Sequence, residues 1–241
     1  MTTLYIILVF TNVIIYSILY LVNCVLYYGY NSINREECIN MMNVKVFSDY
    51  ACPFCYLGLG LLEKLKEDGV EYNLEWIPFE LDQNAPLEGM NLFTVYSKEY
   101  VLKSLDLLQK LGADYGIEYN NKNSKFNTRR AHLGGFYAKT NNKYEEYGKA
   151  LFKAYFTDKI NIGNRDELDK IAESIGLNVI EMNDAIDSGR YEQMLKDAYK
   201  EAEKYKVQSV PSFIINEKTK VAGVRDYPRF KEDFLAATEL K

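Results

Sequence analysis

The sequence predicts an α/β domain whose sheet is split by a helical block and preceded by one apolar N-terminal segment. A β-period run, a helix-period run and a second β run follow one another between residues 44 and 77. A pair of strand signals returns near residue 212, and the residues between carry almost only helical periodicity. Strand, helix, strand in the first unit implies a parallel pair with a right-handed crossover. The order βαβ, helices, ββα then reads as two halves of one sheet rejoined in space.

Taken in order, Val44-Lys45-Val46-Phe47 alternates like a short strand, and Ser48 to Ala51 is a turn. A helix is expected from about Pro53 to Glu67. Leu57, Leu61, Leu62 and Leu65 share one face, with Glu63, Lys64, Lys66 and Glu67 mostly on the other, and Asp68-Gly69 stops it. Tyr72 to Ile77 is the second strand, ended by Pro78. Residues 92–205 read as mostly helical. Val101, Leu102, Leu105, Leu108 and Leu111 share a face. So do Leu168, Ile171, Ala172 and Ile175, in a helix capped by Asn164 and closed by Gly176. A third helix spans about Tyr191 to Lys204. Val210 to Ile215 is a strand, Asn216 to Lys220 a turn, and Val221 to Val224 an antiparallel partner. The last helix opens near Asp226-Tyr227-Pro228 and buries Phe230, Phe234 and Leu235.

Composition divides the chain at residue 41. All 29 Lys and Arg and all 34 Asp and Glu of the 241 residues fall from Arg35 onward. Residues 4–28 are nearly all Leu, Ile, Val, Tyr and Phe, long enough for one membrane-spanning helix. No basic residue precedes this run and no small-residue cleavage site follows it, which disfavours a secretory signal. Two readings of residues 1–41 stay open: a membrane anchor, or an upstream stretch with translation beginning at Met41 or Met42. With an anchor, the basic residues Arg35 and Lys45 lie on its C-terminal side and place the domain in the cytoplasm. The other reading also leaves it in the cytoplasm. Residues 42–241 then form the domain, with the helical insertion at about 85–190. The net charge of −5 gives no electrostatic basis for nucleic-acid binding. A single histidine, His132, excludes multi-histidine metal sites.

The chemistry sits at Cys52-Pro53-Phe54-Cys55, between the first strand and the first helix. A cysteine at a helix N-terminus faces unpaired N–H groups and the positive end of the dipole, which favour thiolate. The thiolate attacks disulfides. Cys52 is therefore the expected exposed attacker. Cys55, one turn on, is the more buried resolver, and Pro53 costs little at the first helical position. Half a zinc site and idle core cysteines are the competing readings. Zinc would need ligands from Cys24, Cys38 or His132, and no metal is expected. Val210-Pro211, at the start of a strand, suits a cis turn whose Val210 backbone pairs with an extended thiol-bearing peptide; an ordinary trans proline is the alternative.

These features together resemble the thioredoxin fold, and the central helices resemble the DsbA-like group. The stretches 47–58 (FSDYACPFCYLG), 76–81 (WIPFEL), 127–132 (NTRRAH), 154–156 (AYF) and 207–213 (VQSVPSF) are similar to the FrnE-like branch, which includes relatives of 2-hydroxychromene-2-carboxylate isomerase. The resemblance implies thiol–disulfide oxidoreductase or isomerase chemistry on protein dithiols or disulfides. It implies no metal and no bound organic cofactor, with glutathione as a co-substrate, and it makes Pro211 cis. Cys52 and Cys55 would be catalytic, with Val210, Pro211, Pro53 and Phe54 contacting the substrate. Phe54 departs from the branch, which usually has Trp there. It offers no hydrogen bond or positive charge to the Cys52 sulfur, so a dithiol less oxidising than DsbA is expected. The leader is a second departure. Two other functions remain open. One is glutathione-dependent isomerisation or transfer on small aromatic substrates, whose relatives carry Ser at the position of Cys52. The other is a membrane-tethered, non-catalytic thioredoxin-fold binding module. His132 reads as structural, Asn127-Thr128 as a helix cap, and Asp49 as shaping the turn or accepting a thiol proton. Trp76 and the aromatic residues of the insertion read as core, or as the wall of an apolar groove over Cys52.

Overall fold

The structure, a computed structural model, describes residues 41–120 and 123–239. The anchor and start-site readings of the apolar leader lie outside the described residues. Among the described residues no helix is long and apolar enough to cross a membrane.

The first unit is β1 (Met42–Ser48), α1 (Pro53–Glu67) and β2 (Tyr72–Pro78). The insertion holds β3 (Met90–Asn91), α2 (Lys98–Ala113), β4 (Ser124–Lys125), α3 (Arg129–Thr140), α4 (Tyr144–Phe152), α5 (Arg165–Ser174) and α6 (Val179–Asp187). α4 continues into a π-helical turn at Lys153–Thr157. α7 (Glu192–Lys204) leads back to β5 (Ser212–Ile215), β6 (Thr219–Ala222) and α8 (Tyr227–Glu239). The mixed main sheet has the order β2-β1-β5-β6, a thioredoxin-like arrangement with a helical insertion. The small β3–β4 ladder, with Met90 opposite Lys125, interrupts a region that reads as helical. Two residues per strand are too few to leave a periodic signal.

Antiparallel pairing of β1 with β5 decides where the site forms. Val44 pairs with Ile215 and Phe47 with Ser212, so the end of β1 lies opposite the start of β5. The loop after β1, which carries the cysteines, and Val210-Pro211 before β5 therefore leave the sheet at the same edge. α1 packs on the sheet through Leu57, Leu61, Leu62 and Leu65, all buried. It also comes close at Gly58, where an added Cβ would stand 3.2 Å from Phe213 Cζ and 3.3 Å from Pro211 Cγ. α5 starts as expected, with Asn164 accepting a bond from Glu167 N, and ends before Gly176 at φ +80°.

One expected core residue and one expected shared face are corrected. Leu235 is exposed, while Phe230, Phe234 and Ala237 are buried. The buried positions of α8 follow helical spacing at 230, 234 and 237, and residue 235 lies about 100° away from 234. In α2, Leu102 and Leu111 are exposed, while Val101 and Leu105 face inward. Only one edge of that helix meets the body. Its end is tightly set: a Cβ on Gly112 would fall 2.6 Å from Ile117 O. Gly112→Ala is expected to lose on the order of 2 kcal/mol through overpacking, lowering the melting temperature by about 5 °C in a thermal scan.

Candidate active site

The chain leaves β1 at Ser48 and turns through Asp49. The Asp49 carbonyl accepts the Cys52 N–H at 3.0 Å. Its carboxylate accepts bonds from Ala51 N at 3.1 Å and Leu81 N at 2.7 Å. His132 Nε2, from α3, lies 3.2 Å from the same carboxylate, and the His132 ring stacks on Tyr50 at 4.8 Å between centroids. Burial alone would raise the Asp49 carboxyl. His132 and the two amides outweigh it and hold the group below the ordinary carboxylate range. Asp49 and His132 thus fasten the turn before Cys52 to the exit of β2 and to the insertion.

Cys52 is the N-cap of α1, in extended backbone, and Pro53 opens the helix. Its Sγ donates to the Val210 carbonyl at 3.5 Å, and the Val210-Pro211 peptide is cis. Both cysteines are free thiols. The expectation of an exposed Cys52 is corrected: the residue is 4% exposed, against 0% for Cys55. The Val210 carbonyl takes its thiol, and the core packs around it. Burial, and then the neighbouring Cys52, push the Cys55 thiol up; the Ser48 hydroxyl and the Asp49 N–H pull the other way.

Beside the motif lies a cleft of about 450 Å³, lined by Pro53, Phe54, Tyr96, Tyr100, Tyr119 and Phe156 among others. Phe54 is partly exposed there, and Tyr119 Oη donates to Pro53 O at 2.7 Å. Lys125, on the rim, is paired with Asp82 at 2.5 Å. Of the two readings of Trp76, core or groove wall, the core one holds: the ring packs against the core on Phe152 and does not line the cleft. Tyr96 and Tyr100 of the cleft lie outside the motif stretches. Their only signal is an aromatic pair one helical turn apart at the start of α2. A larger cavity, about 600 Å³, lies among Arg129, Arg130 and Arg165, and none of residues 52–55 lines it. Its arginines are paired with Glu80, Glu192 and Asp187. Of the expected cap pair Asn127-Thr128, Asn127 is the residue that makes the bond. Thr128 makes no side-chain cap bond, and Asn127 Oδ1 accepts Arg129 N at 2.9 Å instead.

The model of the DSBA-like thioredoxin domain family matches residues 43–235. The uncharacterized protein YwbO of Bacillus subtilis (strain 168) is 35% identical over 182 residues, 73% of this chain and 88% of that protein. A crystal structure described as a probable DsbA oxidoreductase, from Streptomyces coelicolor, superposes with a TM-score of 0.76 at 24% identity, over 83% of this chain and 91% of that one. A 2-hydroxychromene-2-carboxylate isomerase structure superposes with a TM-score of 0.60 at 20% identity, over 82% and 95%. At these identities the two structures speak for the fold.

Proposed function

We propose that this chain, which belongs to the family of DSBA-like thioredoxin domains, is a thiol–disulfide oxidoreductase that works through Cys52 and Cys55. One observation carries the reading: the Cys52 sulfur stands at the N-terminus of α1, 3.5 Å from the carbonyl before cis Pro211, with Cys55 one turn behind it. The Cys52 thiolate attacks one sulfur of a partner disulfide. A Cys52–partner S–S bond forms, and the other partner sulfur leaves and takes a proton. Cys55, deprotonated, then attacks the Cys52 sulfur. The internal disulfide closes and the partner leaves as a dithiol. Run backward, the same steps oxidise a dithiol. The Val210-Pro211 backbone aligns an extended partner chain on one side of Cys52, and Pro53 and Phe54 bound the other. Glutathione serves as the thiol that returns Cys52–Cys55 to the dithiol. With the leader as a membrane anchor, Arg35 and Lys45 on its C-terminal side support a cytoplasmic location for this chemistry.

Limiting iodoacetamide near neutral pH, followed by peptide mass mapping, tests the assignment of roles. Cys52 is expected to label at least ~10-fold faster than Cys55, because Cys55 is sealed and its thiol pushed up. Equal rates would remove the distinction between attacker and resolver. Phe54 bears no N–H toward Cys52, so Phe54→His is expected to raise the reduction potential by about 30 mV, a tenfold change in the equilibrium constant. Titration against glutathione buffers reads this shift, and an unmoved potential would deny position 54 its influence.

The aromatic lining of the cleft favours one second reading, glutathione-dependent isomerisation of a small aromatic substrate. Tight glutathione binding without dithiol turnover would select it.

A further inference from the structure

We propose that the Ser48 hydroxyl acts in the resolving step, donating a hydrogen bond to the Cys55 sulfur as that sulfur becomes a thiolate. The proposal rests on the dithiol reading above. Ser48 ends β1 and is buried. Its Oγ is sealed from solvent and has no hydrogen-bond partner of ordinary geometry among the described residues. A buried hydroxyl left in that state costs free energy, and one in a native core calls for a reason. Polar groups that act on the Cys55 sulfur include the Ser48 hydroxyl, the Asp49 N–H and the Cys52 thiol. A neutral thiol is a weak acceptor. A thiolate is a strong one, so the bond gains strength only when charge develops on Cys55, which is how a transition-state contact accelerates a step.

Resolution demands that charge. Cys55 is fully buried. The two donors, Ser48 Oγ–H and Asp49 N–H, are what the fold offers in place of solvent.

Ellman's disulfide separates the steps. In the full chain with Cys24 and Cys38 replaced by Ser, the Cys52 thiolate displaces one thionitrobenzoate and forms a mixed disulfide. Cys55 then gives its proton to buffer, attacks the Cys52 sulfur and displaces the second thionitrobenzoate. In Ser48→Ala the first release is expected to keep its rate. The second slows about tenfold or more, as loss of a hydrogen bond to a charged group implies. The melting temperature stays level or rises, because an orphaned hydroxyl has been removed. A second release within twofold of the parent overturns the role of Ser48 and leaves the dithiol reading standing. A slower second release with a melting temperature several degrees lower assigns the effect to packing and also overturns it. If the parent chain shows no first release from Cys52, the dithiol reading fails and takes the role of Ser48 with it.

Discussion

Cys52→Ser is expected to abolish insulin reduction and the repair of scrambled ribonuclease, a loss of at least about a thousandfold. A serine hydroxyl at the N-terminus of α1 cannot form a disulfide, so no covalent intermediate replaces the lost one. Cys55→Ser behaves differently. Cys52 still attacks, but nothing displaces what it captures, and the partner accumulates as a mixed disulfide visible by intact mass. The geometry demands this asymmetry. The Cys52 sulfur meets the Val210 carbonyl at the sheet edge, while Cys55 is sealed beneath it. Any approach to the pair therefore comes from the Cys52 side. The partner cannot simply lie across an open surface, because Cys52 is itself 4% exposed. It must displace the Val210 contact, taking over backbone groups that the resting thiol now occupies. Parental activity in Cys52→Ser would place the nucleophile elsewhere, and a parent chain with no activity would leave a binding module without catalysis. Parental turnover in Cys55→Ser with no adduct would remove the resolver.

How much of this the sequence made legible follows from the range of each signal. The βαβ unit, the cap at Asn164, the stop at Gly176 and the dithiol at the start of α1 rest on residues within a few positions of one another, and period and cap chemistry report such neighbours well. The burial of Cys52 was not legible because its cause, the Val210 carbonyl, is 158 residues away in sequence. The pairing of Asp49 with His132 spans 83 residues, so the motif stretches at 47–58 and 127–132 could be noticed separately but not joined. The cleft is harder still. In α2, Tyr100 and Leu105 line it while Leu102 and Leu111 face solvent. Periodicity marks one apolar face and does not say which part meets the core and which borders an opening. Ser48 carries no sequence signal at all, since a lone serine after a strand reads as the start of a turn.

Asp49→Ala is expected to lower stability by about 3 kcal/mol at neutral pH, near 10 °C in melting temperature. The deletion leaves the Ala51 and Leu81 N–H groups without their acceptor and the buried His132 ring without its partner, and each such loss costs about 1–3 kcal/mol before relaxation. The turn that accepts the Cys52 N–H loosens with them, so catalysis should fall beside stability. The pH dependence separates this from a simple cavity. The Asp49 carboxyl is held below its ordinary value in the folded chain, so the unfolded chain binds the proton more readily. Its stabilisation is fully present above the unfolded value of about 3.9 and is lost as pH falls through the lower folded value. Melting temperatures between pH 7 and pH 3 should therefore fall more steeply for the parent than for Asp49→Ala, and the gap between them should narrow in acid. A variant that melts within about 2 °C of the parent at pH 7 would mean the three bonds to Asp49 do not hold the turn. A gap constant down to pH 3 would mean that the lost volume, not the charge, set the cost. In either case the route by which the insertion fixes Cys52 would have to run through packing on Tyr50 and Tyr119 instead.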